Sequence, residues 1–371
     1  MQYEFLSQIN TWNLAQQQIL VRADLNTPHD DEKITDSFRL EAIIPTLELI
    51  LSKGGFAHLI THLDSPHIAD KKNSIALIAA WFSRAGYKPP FVHIHENLRF
   101  SPLEKESSFD FARMLSRGMK FYIDDAFGSL HRNDTSLTVL PRCFPLDHRS
   151  IGLLVERELS TLLSVKNNPQ RPYIFLLGGG KIKDKLVDIM YLLDYADHIM
   201  LCPGLSSLFI PQLESRYDDT LISLRNKITR KARHNQLLLP HDYLVGDDHF
   251  QPPYQYKAVS NITTHQLPIA IGPQTVHAWK QYINAAQTIV CNGPMGFHCD
   301  PATQETLALF LKEIALSSAY TIAGGGDMMQ ALKTFRLQGL FKFCSTGGGS
   351  MLSLLAHLKL PALEALSEDQ I

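Results

Sequence analysis

The segment Pro172–Leu193, PYIFLLGGGKIKDKLVDIMYLL, decides how this chain is interpreted. Its apolar residues from Tyr173 to Leu177 predict a buried strand, and apolar residues at helical spacing begin at Leu186. Between them lie three consecutive glycines, Gly178 to Gly180, followed by lysines at positions 181, 183 and 185. A strand, a glycine turn, lysines and a helix together present backbone N–H groups and ammonium charge to a phosphate.

The triple glycine occurs twice more. Thr321 to Asp327 reads TIAGGGD and Ser345 to Ser350 reads STGGGS, each at the end of a predicted strand. The first loop has neither the Walker spacing nor G-x-G-x-x-G, and a lone glycine run is often a plain turn. Three such runs favour phosphate binding, because the carboxyl ends of strands in an open α/β sheet meet at one edge, where ligands bind.

Length, charge and cysteine content narrow the class of protein. A chain of 371 residues is longer than the chains that usually fold around a single hydrophobic core, which favours two domains. A net charge of −2 indicates neither nucleic-acid nor membrane binding, and no apolar run is long enough to span a bilayer. The five cysteines are scattered without zinc spacing, and the N-terminus has no signal-peptide pattern, so we expect a cytoplasmic protein.

Apolar segments along the chain predict strands that alternate with helices. Short connections between them are typical of mainly parallel α/β sheets. Gly152 to Val165 is an amphipathic helix without a neighbouring strand, and we interpret it as the connection between two domains. The apolar tail, Leu360 to Leu366, is expected to dock on the protein. Pro45 is expected to kink or restart the helical region that contains Arg39.

Polar residues of the first half follow predicted strands, so they should converge at one sheet edge. They are Asp24, Asn26, His62, Arg99 and Arg132, and His131 and Arg39 would join them in a basic pocket. A single arginine would more simply form a surface ion pair, but guanidinium forks fit carboxylate and phosphate oxygens bidentately. The set therefore favours a site for an anionic small molecule.

The first half of the chain has a basic pocket for a compact anion, and the second half has glycine loops and lysines for phosphates. Together they suggest phosphoryl transfer between a nucleotide and a small acid. This reaction needs positioning and charge neutralisation more than covalent help from the protein. No Ser/His/Asp or Cys/His signature and no H-E-x-x-H stands out. A carboxylate acceptor, with a reference pKa of about 4, is already an ionised nucleophile and needs no general base.

The chain resembles the phosphoglycerate kinase family. The resemblance rests on VRADLNTP, HENLRF, DDAFGSLHR, LLGGGKIKDKL, CNGPMG, IAGGGD and STGGGSMLSLL, which follow the family's order over nearly the whole chain. It implies an α/β fold of two doubly wound (Rossmann-like) parallel-sheet domains joined by a helix and hinge. Residues 1–151 would bind phosphoglycerate, residues 152–357 the nucleotide, and the tail 358–371 would pack back on the first domain.

The resemblance also implies the reaction and its partners. The family transfers a phosphoryl group reversibly between ATP and the carboxylate of 3-phosphoglycerate, with Mg²⁺, as a monomer. The residues that match its substrate-binding positions are Asp24, Asn26, Arg39, His62, Arg99 and Arg132, and we expect His131 of the basic pocket to join them. The matching catalytic residues are Arg39, Lys181, Lys185, Gly326 and Gly349. The nucleotide-binding residues expected from the resemblance are Lys185, Gly204, Gly293, Met295, Asp300, Gly324, Gly325, Gly326 and Asp327, of which Asp327 is also linked to Mg²⁺.

The chain departs from the family pattern at several positions. Ser65 stands where the family has an arginine, and Asp124 stands where it usually has an asparagine. Cys299 aligns with the ribose-contacting glutamate, which Asp300 next to it would replace. Between Phe91 and Glu96 the chain skips a strand–helix unit of the family, so we expect a smaller N-terminal sheet.

These departures leave two functional alternatives beside an active kinase. The first is a non-catalytic relative that binds phosphoglycerate or acts as a scaffold, with an impaired nucleotide site. The second is a nicotinamide-dependent dehydrogenase, which the lack of G-x-G-x-x-G and of an acidic residue about 20 positions later disfavours.

Overall fold

The computed structural model describes residues 6–30, 33–64, 70–179, 182–296, 301–356 and 359–370. The chain forms two compact units, Met1–Leu163 with Leu358–Ile371, and Ser164–His357. Their boundary falls inside a helix, Leu153–Asn167. No helix in the described part of the chain has both the length and the apolar character needed to cross a membrane.

The first unit contains a five-stranded sheet whose paired strands are all parallel. Its strands are β1 (Gln18–Ala23), β2 (Phe56–Ile60), β3 (Val92–Ile94), β4 (Phe121–Asp125) and β5 (Arg149–Ile151). Its helices are α1 (Phe38–Ala42), α2 (Ile44–Ser52), α3 (Ala76–Arg84), α4 (Phe109–Ser116), α5 (Thr135–Thr138) and α6 (Leu153–Asn167). The order β3-β2-β1-β4-β5 reverses between β1 and β4, which is the switch point where such sheets bind ligands.

Strand β1 lies at the centre of this sheet, and its side chains from Ile19 to Ala23 are buried on both faces. Ile19, Val21 and Ala23 are fully buried in one core cluster that also contains residues of α1, α2 and α3. The helical region breaks at Ile43, and Pro45 lies in the first turn of α2, where a missing N–H costs little. The restart predicted at this proline is confirmed.

The amino end of α6 is fixed to the core of the first unit. Val155 N donates to Asp125 Oδ1 (2.9 Å), and Leu153 N donates to Thr46 Oγ1 (2.9 Å). Thr46 in turn donates to Asp125 Oδ2 (2.5 Å). Burial raises the pKa of Asp125 to about 7, and the two donors partly offset this effect. The helix that crosses the boundary between the units therefore starts from a point that is hydrogen-bonded into the core of the first unit.

The second unit contains a six-stranded parallel sheet and a three-stranded antiparallel sheet. Its strands are β6 (Tyr173–Leu177), β7 (His198–Leu201), β8 (Leu237–Leu238), β9 (Asp242–Gly246), β10 (Gln255–Ala258), β11 (Leu267–Ile271), β12 (Thr288–Asn292), β13 (Tyr320–Gly324) and β14 (Phe343–Ser345). Its helices are α7 (Ile182–Leu192), α8 (Pro203–Ser206), α9 (Asp219–Lys231), α10 (Pro273–Ala285), α11 (Pro301–Ala315), α12 (Gly326–Thr334) and α13 (Gly349–Leu355). The parallel order β14-β13-β12-β6-β7-β8 reverses between β12 and β6.

The predicted α/β class with two parallel sheets is confirmed, but two parts of the second unit were missed. Helix α9 lies in a stretch that looked weakly patterned, because Ile228 is its only buried residue and most of its other residues are polar. The antiparallel sheet β10-β9-β11 was not expected either. Strand β10 is largely exposed and lacks the apolar run of a buried strand.

The last helix, α14 (Pro361–Ser367), belongs to the first unit. Ala362 N donates to Leu130 O (3.2 Å), and Arg149 Nη2 donates to the backbone oxygen of Glu368. Leu363 is 1% exposed. The tail therefore contributes apolar side chains to the core of that unit.

Candidate active site

Four arginines surround His62 at the carboxyl edge of the first sheet. They are Arg22, Arg99, Arg132 and Arg39, and we call these five residues the guanidinium cluster. Burial and then the charges of these arginines lower the pKa of His62 well below its usual range. His62 is only 1% exposed, and it follows β2 by two residues. A neutral imidazole is thus held among permanent positive charges.

Arg39 is held by the loop that follows β1. Its Nη1 donates to Asp24 Oδ1 (3.2 Å) and to the backbone oxygen of Asn26 (2.7 Å). The Arg39 side chain keeps 21% of its surface exposed, whereas that of Asp24 keeps 5%. Asn26 Oδ1 accepts from Asp64 N (3.3 Å), which connects this loop to the loop after His62. The structure therefore brings these three predicted residues together.

Arg99 is buried beside Asp134, which lies in the segment that follows β4. Its Nη2 lies 3.4 Å from Asp134 Oδ2, and its Nη1 donates to the backbone oxygen of Asp64. Lys105 binds the other oxygen of Asp134 at 2.9 Å. His131 and Arg132 follow β4 and are half-buried. A carboxylate shared between two cations leaves net positive charge at this edge.

Arg22 is the member of the cluster that the sequence interpretation missed. It lies inside β1 with no exposed surface, and its Nε donates to Ser136 Oγ (2.8 Å). Ser136 Oγ donates to the buried carboxylate of Glu104 at 2.6 Å, and Ser136 N donates to the same group at 3.1 Å. The available signal was a charged residue within an apolar strand, since a buried charge needs hydrogen-bonded partners.

Arg22 also fixes the tautomer of His62. Arg22 Nη2 lies 3.1 Å from His62 Nδ1. A guanidinium group has only donors, so His62 Nδ1 accepts and the ring proton resides on Nε2. The chain Glu104–Ser136–Arg22 therefore makes His62 Nε2 a hydrogen-bond donor.

The glycine loops of the second unit pack closely against one another. An added Cβ at Gly178 would overlap the carbonyl oxygen of Pro294, so only glycine fits there. Gly325 has a φ of +97°, in the left-handed region that favours glycine, where the chain enters α12. Asn292 Nδ2 donates to the carbonyl oxygens of Gly324 (3.2 Å) and Gly348 (3.1 Å). One buried carboxamide thus joins the ends of β12, β13 and the last glycine loop.

Lys185 lies on α7 next to the first glycine loop. Its Nζ donates to the carbonyl oxygen of Gly178 and lies 3.4 Å from that of Asn292. Gly293 adjoins the same ammonium group, and Met295 after it is fully buried. The predicted ammonium group therefore lies at the switch point between β6 and β12.

A cavity of about 500 Å³ opens beside these loops. Its lining includes Gly179, Gly204 and Asp327, together with the apolar residues Ile182, Pro203, Leu267, Pro268 and Ile269. Tyr217 and Phe250 also line it. The apolar wall comes largely from β11 and from the segment between β7 and β9, where sequence reasoning assigned only Gly204 to a site. An apolar cavity with few polar groups suits a planar organic ligand.

Some of the remaining predicted site residues lie within the described part of the chain, and others lie outside it. Gly326 and Gly349 are exposed at the first residues of α12 and α13. Gly180, Lys181, Asp300, Cys299 and Ser65 lie outside the described residues. The predictions for these five positions therefore remain sequence-based.

The two switch points define the class of protein. The first carries a guanidinium cluster, and the second carries glycine loops, an ammonium group and an apolar cavity. This is a doubly wound α/β protein with the chemical groups that bind phosphate-bearing small molecules.

Comparisons with known proteins specify the family. The phosphoglycerate kinase family model matches residues 9–92 and 85–357. The phosphoglycerate kinase of Aquifex aeolicus is 33% identical, with 95% of this chain and 96% of that protein covered. That of Moorella thermoacetica is 30% identical, with 96% and 97% covered. The solved phosphoglycerate kinase of Coxiella burnetii is 26% identical, with a TM-score of 0.78 over 98% of this chain and 99% of that one.

The chain belongs to the phosphoglycerate kinase family. This confirms the resemblance found in the sequence. The family consists of phosphotransferases with a carboxyl group as acceptor, and the comparisons give no support to a non-catalytic relative.

Asp124 makes the stability of the first unit depend on pH. The residue has no exposed surface, and its Oδ2 has no hydrogen-bond partner among the described residues. Burial raises the pKa of Asp124 from 3.8 to about 6, although Ala126 N and Arg22 act against this. The folded chain therefore holds this proton more tightly than the unfolded chain, and stability falls as pH rises through about 4 to 6.

We expect Asp124→Asn to remove this loss, because asparagine is neutral at every pH. The gain in free energy of unfolding should be about 2 kcal/mol larger at pH 8 than at pH 4. Urea denaturation across this pH range measures it. The exposed carboxyl of Glu106 gives the matched control Glu106→Gln, whose effect should not vary in this way. A gain for Asp124→Asn that is equal at both pH values would contradict the explanation.

Proposed function

We propose that this protein is an active phosphoglycerate kinase that transfers a phosphoryl group reversibly between ATP and the carboxylate of 3-phosphoglycerate. Family membership supports the reaction class. The observation that carries the proposal is that one chain combines a guanidinium cluster in one unit with glycine loops and a cavity in the other. These are the groups that the two substrates require.

The first unit is proposed to bind 3-phosphoglycerate, which carries a phosphate and a carboxylate. Asp24, Asn26, Arg39, His62, Arg99, His131 and Arg132 are the proposed binding residues. Arg39 keeps an exposed face while Asp24 and Asn26 hold it, so its fork is pre-oriented for an oxyanion. His62 offers a neutral Nε2–H donor. Arg22 positions that donor, and its charge adds to the attraction for the anion.

The second unit is proposed to bind ATP. The apolar cavity would take the adenosine, with its residues Gly204, Leu267 and Pro268 as walls. The phosphates would lie on the backbone N–H groups of Gly324, Gly325 and Gly326 at the start of α12. Lys185 would exchange the carbonyl oxygens of Gly178 and Asn292 for phosphate oxygens. Gly293, Met295 and Asp300 complete the proposed nucleotide site.

The proposed site fits Mg²⁺ through Asp327. Mg²⁺ in kinases is bound by one or two carboxylates together with the substrate phosphates and water. Asp327 is an exposed carboxylate that lines the cavity in the first turn of α12, directly after the proposed phosphate loop. When bound there, the ion would neutralise charge on the phosphate oxygens.

The transfer itself would depend on positioning and charge. The acceptor carboxylate is ionised at neutral pH and attacks the terminal phosphorus without a general base. Arg39, Lys181 and Lys185 and the N–H groups of Gly326 and Gly349 would neutralise the oxygens of the transferred group. Bending about the hinge at α6 would bring both substrates into line and exclude water, which would otherwise accept the phosphoryl group.

We also propose that the enzyme is a cytoplasmic monomer. The monomer is what the resemblance to the family implies. Cys143, Cys202 and Cys291 carry thiols rather than disulfide bonds, which fits a reducing compartment.

A coupled assay with ATP, Mg²⁺ and 3-phosphoglycerate tests the function by measuring the formation of ADP. We expect turnover that requires all three components. A folded protein that binds 3-phosphoglycerate in calorimetry but shows no turnover would instead be a binding protein.

Arg39→Ala should lower kcat about 10²- to 10³-fold with a modest change in KM, because the proposed role of Arg39 lies mainly in the transition state. Steady-state kinetics in the coupled assay measure both constants. Arg171→Ala removes another arginine, which pairs with Asp197 in the second unit, and should leave both constants unchanged. An effect of Arg39→Ala on KM alone would refute the proposed role.

Asp327→Asn should weaken ATP binding about 10- to 100-fold when Mg²⁺ is present, since a lost contact to a charged group costs about 1.5–3 kcal/mol. Without Mg²⁺ the variant and the parent should bind ATP alike. Isothermal titration calorimetry with and without the ion makes the comparison, and Asp219→Asn on exposed α9 is the matched control. Equal weakening under both conditions would exclude a metal role for Asp327.

A further inference from the structure

Three histidines lie side by side on the sheet of the first unit. His58 is in β2, His93 is its parallel partner in β3, and His95 comes directly after β3. Side chains two residues apart on a strand share a face, so His95 returns to the face of His93. The rings of His58 and His93 stack, with centroids 5.1 Å apart and an interplanar angle of 11°. The proposed kinase reaction uses none of these residues.

Two ring nitrogens of this cluster face each other. His58 Nδ1 and His95 Nε2 lie 3.1 Å apart. Two imidazole nitrogens bound to one ion at about 2.0–2.1 Å, with a ligand angle between about 90° and 109°, lie about 2.9–3.4 Å apart. The pair therefore already has the separation of two neighbouring ligands of a single transition-metal ion.

Gln18 determines which nitrogen of His58 is available. Its Oε1 lies 2.6 Å from His58 Nε2. A carboxamide oxygen only accepts, so Nε2 carries the ring proton and Nδ1 keeps its lone pair, directed at His95. Metal-binding histidines almost always donate their other N–H to such an acceptor, which fixes the ring and raises its basicity. Stacking on His93 restrains the same ring from its face.

We propose that His58 Nδ1 and His95 Nε2 bind one divalent transition-metal ion of the kind that prefers imidazole, namely Cu²⁺, Ni²⁺ or Zn²⁺. In the metal-free protein His95 Nε2–H donates to His58 Nδ1. On binding, His95 would move this ring proton to Nδ1, and both rings would turn so that the two lone pairs converge on the ion. Within the described residues, no three His, Cys, Asp or Glu side chains are arranged to hold an ion. Water therefore completes the coordination sphere.

Such an ion would connect two strands that lead into the guanidinium cluster. β2 ends two residues before His62, and the chain reaches Arg99 four residues after His95. One ligand lies in β2 and the other directly after β3, so binding favours the folded sheet over any state in which β3 has detached. The site is separate from the proposed Mg²⁺ position at Asp327, which lies in the other unit.

Titration of the tag-free, full-length protein with Cu²⁺, without nucleotide, tests this proposal. We expect one strong equivalent by calorimetry and an electron paramagnetic resonance spectrum with hyperfine splitting from two nitrogens. His58→Gln and His95→Gln should each lose that equivalent. His265→Gln, which removes a histidine with a side chain 84% exposed, should keep it. Gln18→Leu should weaken binding about tenfold and leave the stoichiometry unchanged.

The spectrum of the parent protein does not depend on how the variants fold. Circular dichroism of the metal-free variants checks their folding separately. A parent spectrum with fewer than two coordinated nitrogens would overturn the proposal. Retention of the strong equivalent in folded His58→Gln and His95→Gln would overturn it as well.

Discussion

Parallel strands all present their carboxyl ends at one edge of a sheet, and both units of this chain depend on that constraint. In the first unit, β1 and β2 end just before Asp24 and His62. In the second unit, β6, β12 and β13 end at or directly before the glycines and the asparagine that meet there. Residues far apart in sequence therefore converge without any motif that links them locally. The chemistry of each unit is a property of its strand ends.

The first unit concentrates like charges at such an edge, and their mutual repulsion has to be offset. Burial and the charge of Arg132 lower the pKa of Arg99, while Asp134 acts in the opposite direction. Arg22 is compensated through Ser136 by Glu104, whose pKa is raised by burial and lowered again by Arg22. The carboxylates compensate only part of the positive charge. An anionic ligand would therefore neutralise the positive charge that remains.

Much of this arrangement could be predicted from sequence, because it depends on patterns of residues that are close together in the chain. Apolar runs gave the positions of the buried strands, and polar residues directly after them indicated the site; Asp24, Arg39 and His62 do lie together. Pro45 marked the restart of a helix. These features depend on neighbours in the chain, and short-range periodicity reports them well.

What could not be predicted depends on partners distant in sequence. From sequence alone, Arg22 is one polar position in an apolar strand. Its partner Ser136 is 114 residues away in sequence and lies beside it only in the fold. From sequence alone, Asn292 is indistinguishable from a turn residue. Its role appears only in the fold, where its Nδ2 donates to the carbonyl oxygens of Gly324 and Gly348. The apolar wall of the cavity was missed because its residues come from elements far apart in the chain, such as Pro203, Tyr217 and β11, which meet only in the folded unit.

The parallel sheets also end in a way that bears on the behaviour of the protein at high concentration. Their outermost strands are β3, β5, β14 and β8, and none of the four is longer than three residues. An outermost strand exposes unpaired N–H and C=O groups on which another chain could add a strand of its own. Ladders this short offer an incoming chain only a few hydrogen bonds, so they resist intermolecular strand addition even though each unit has a wide central sheet.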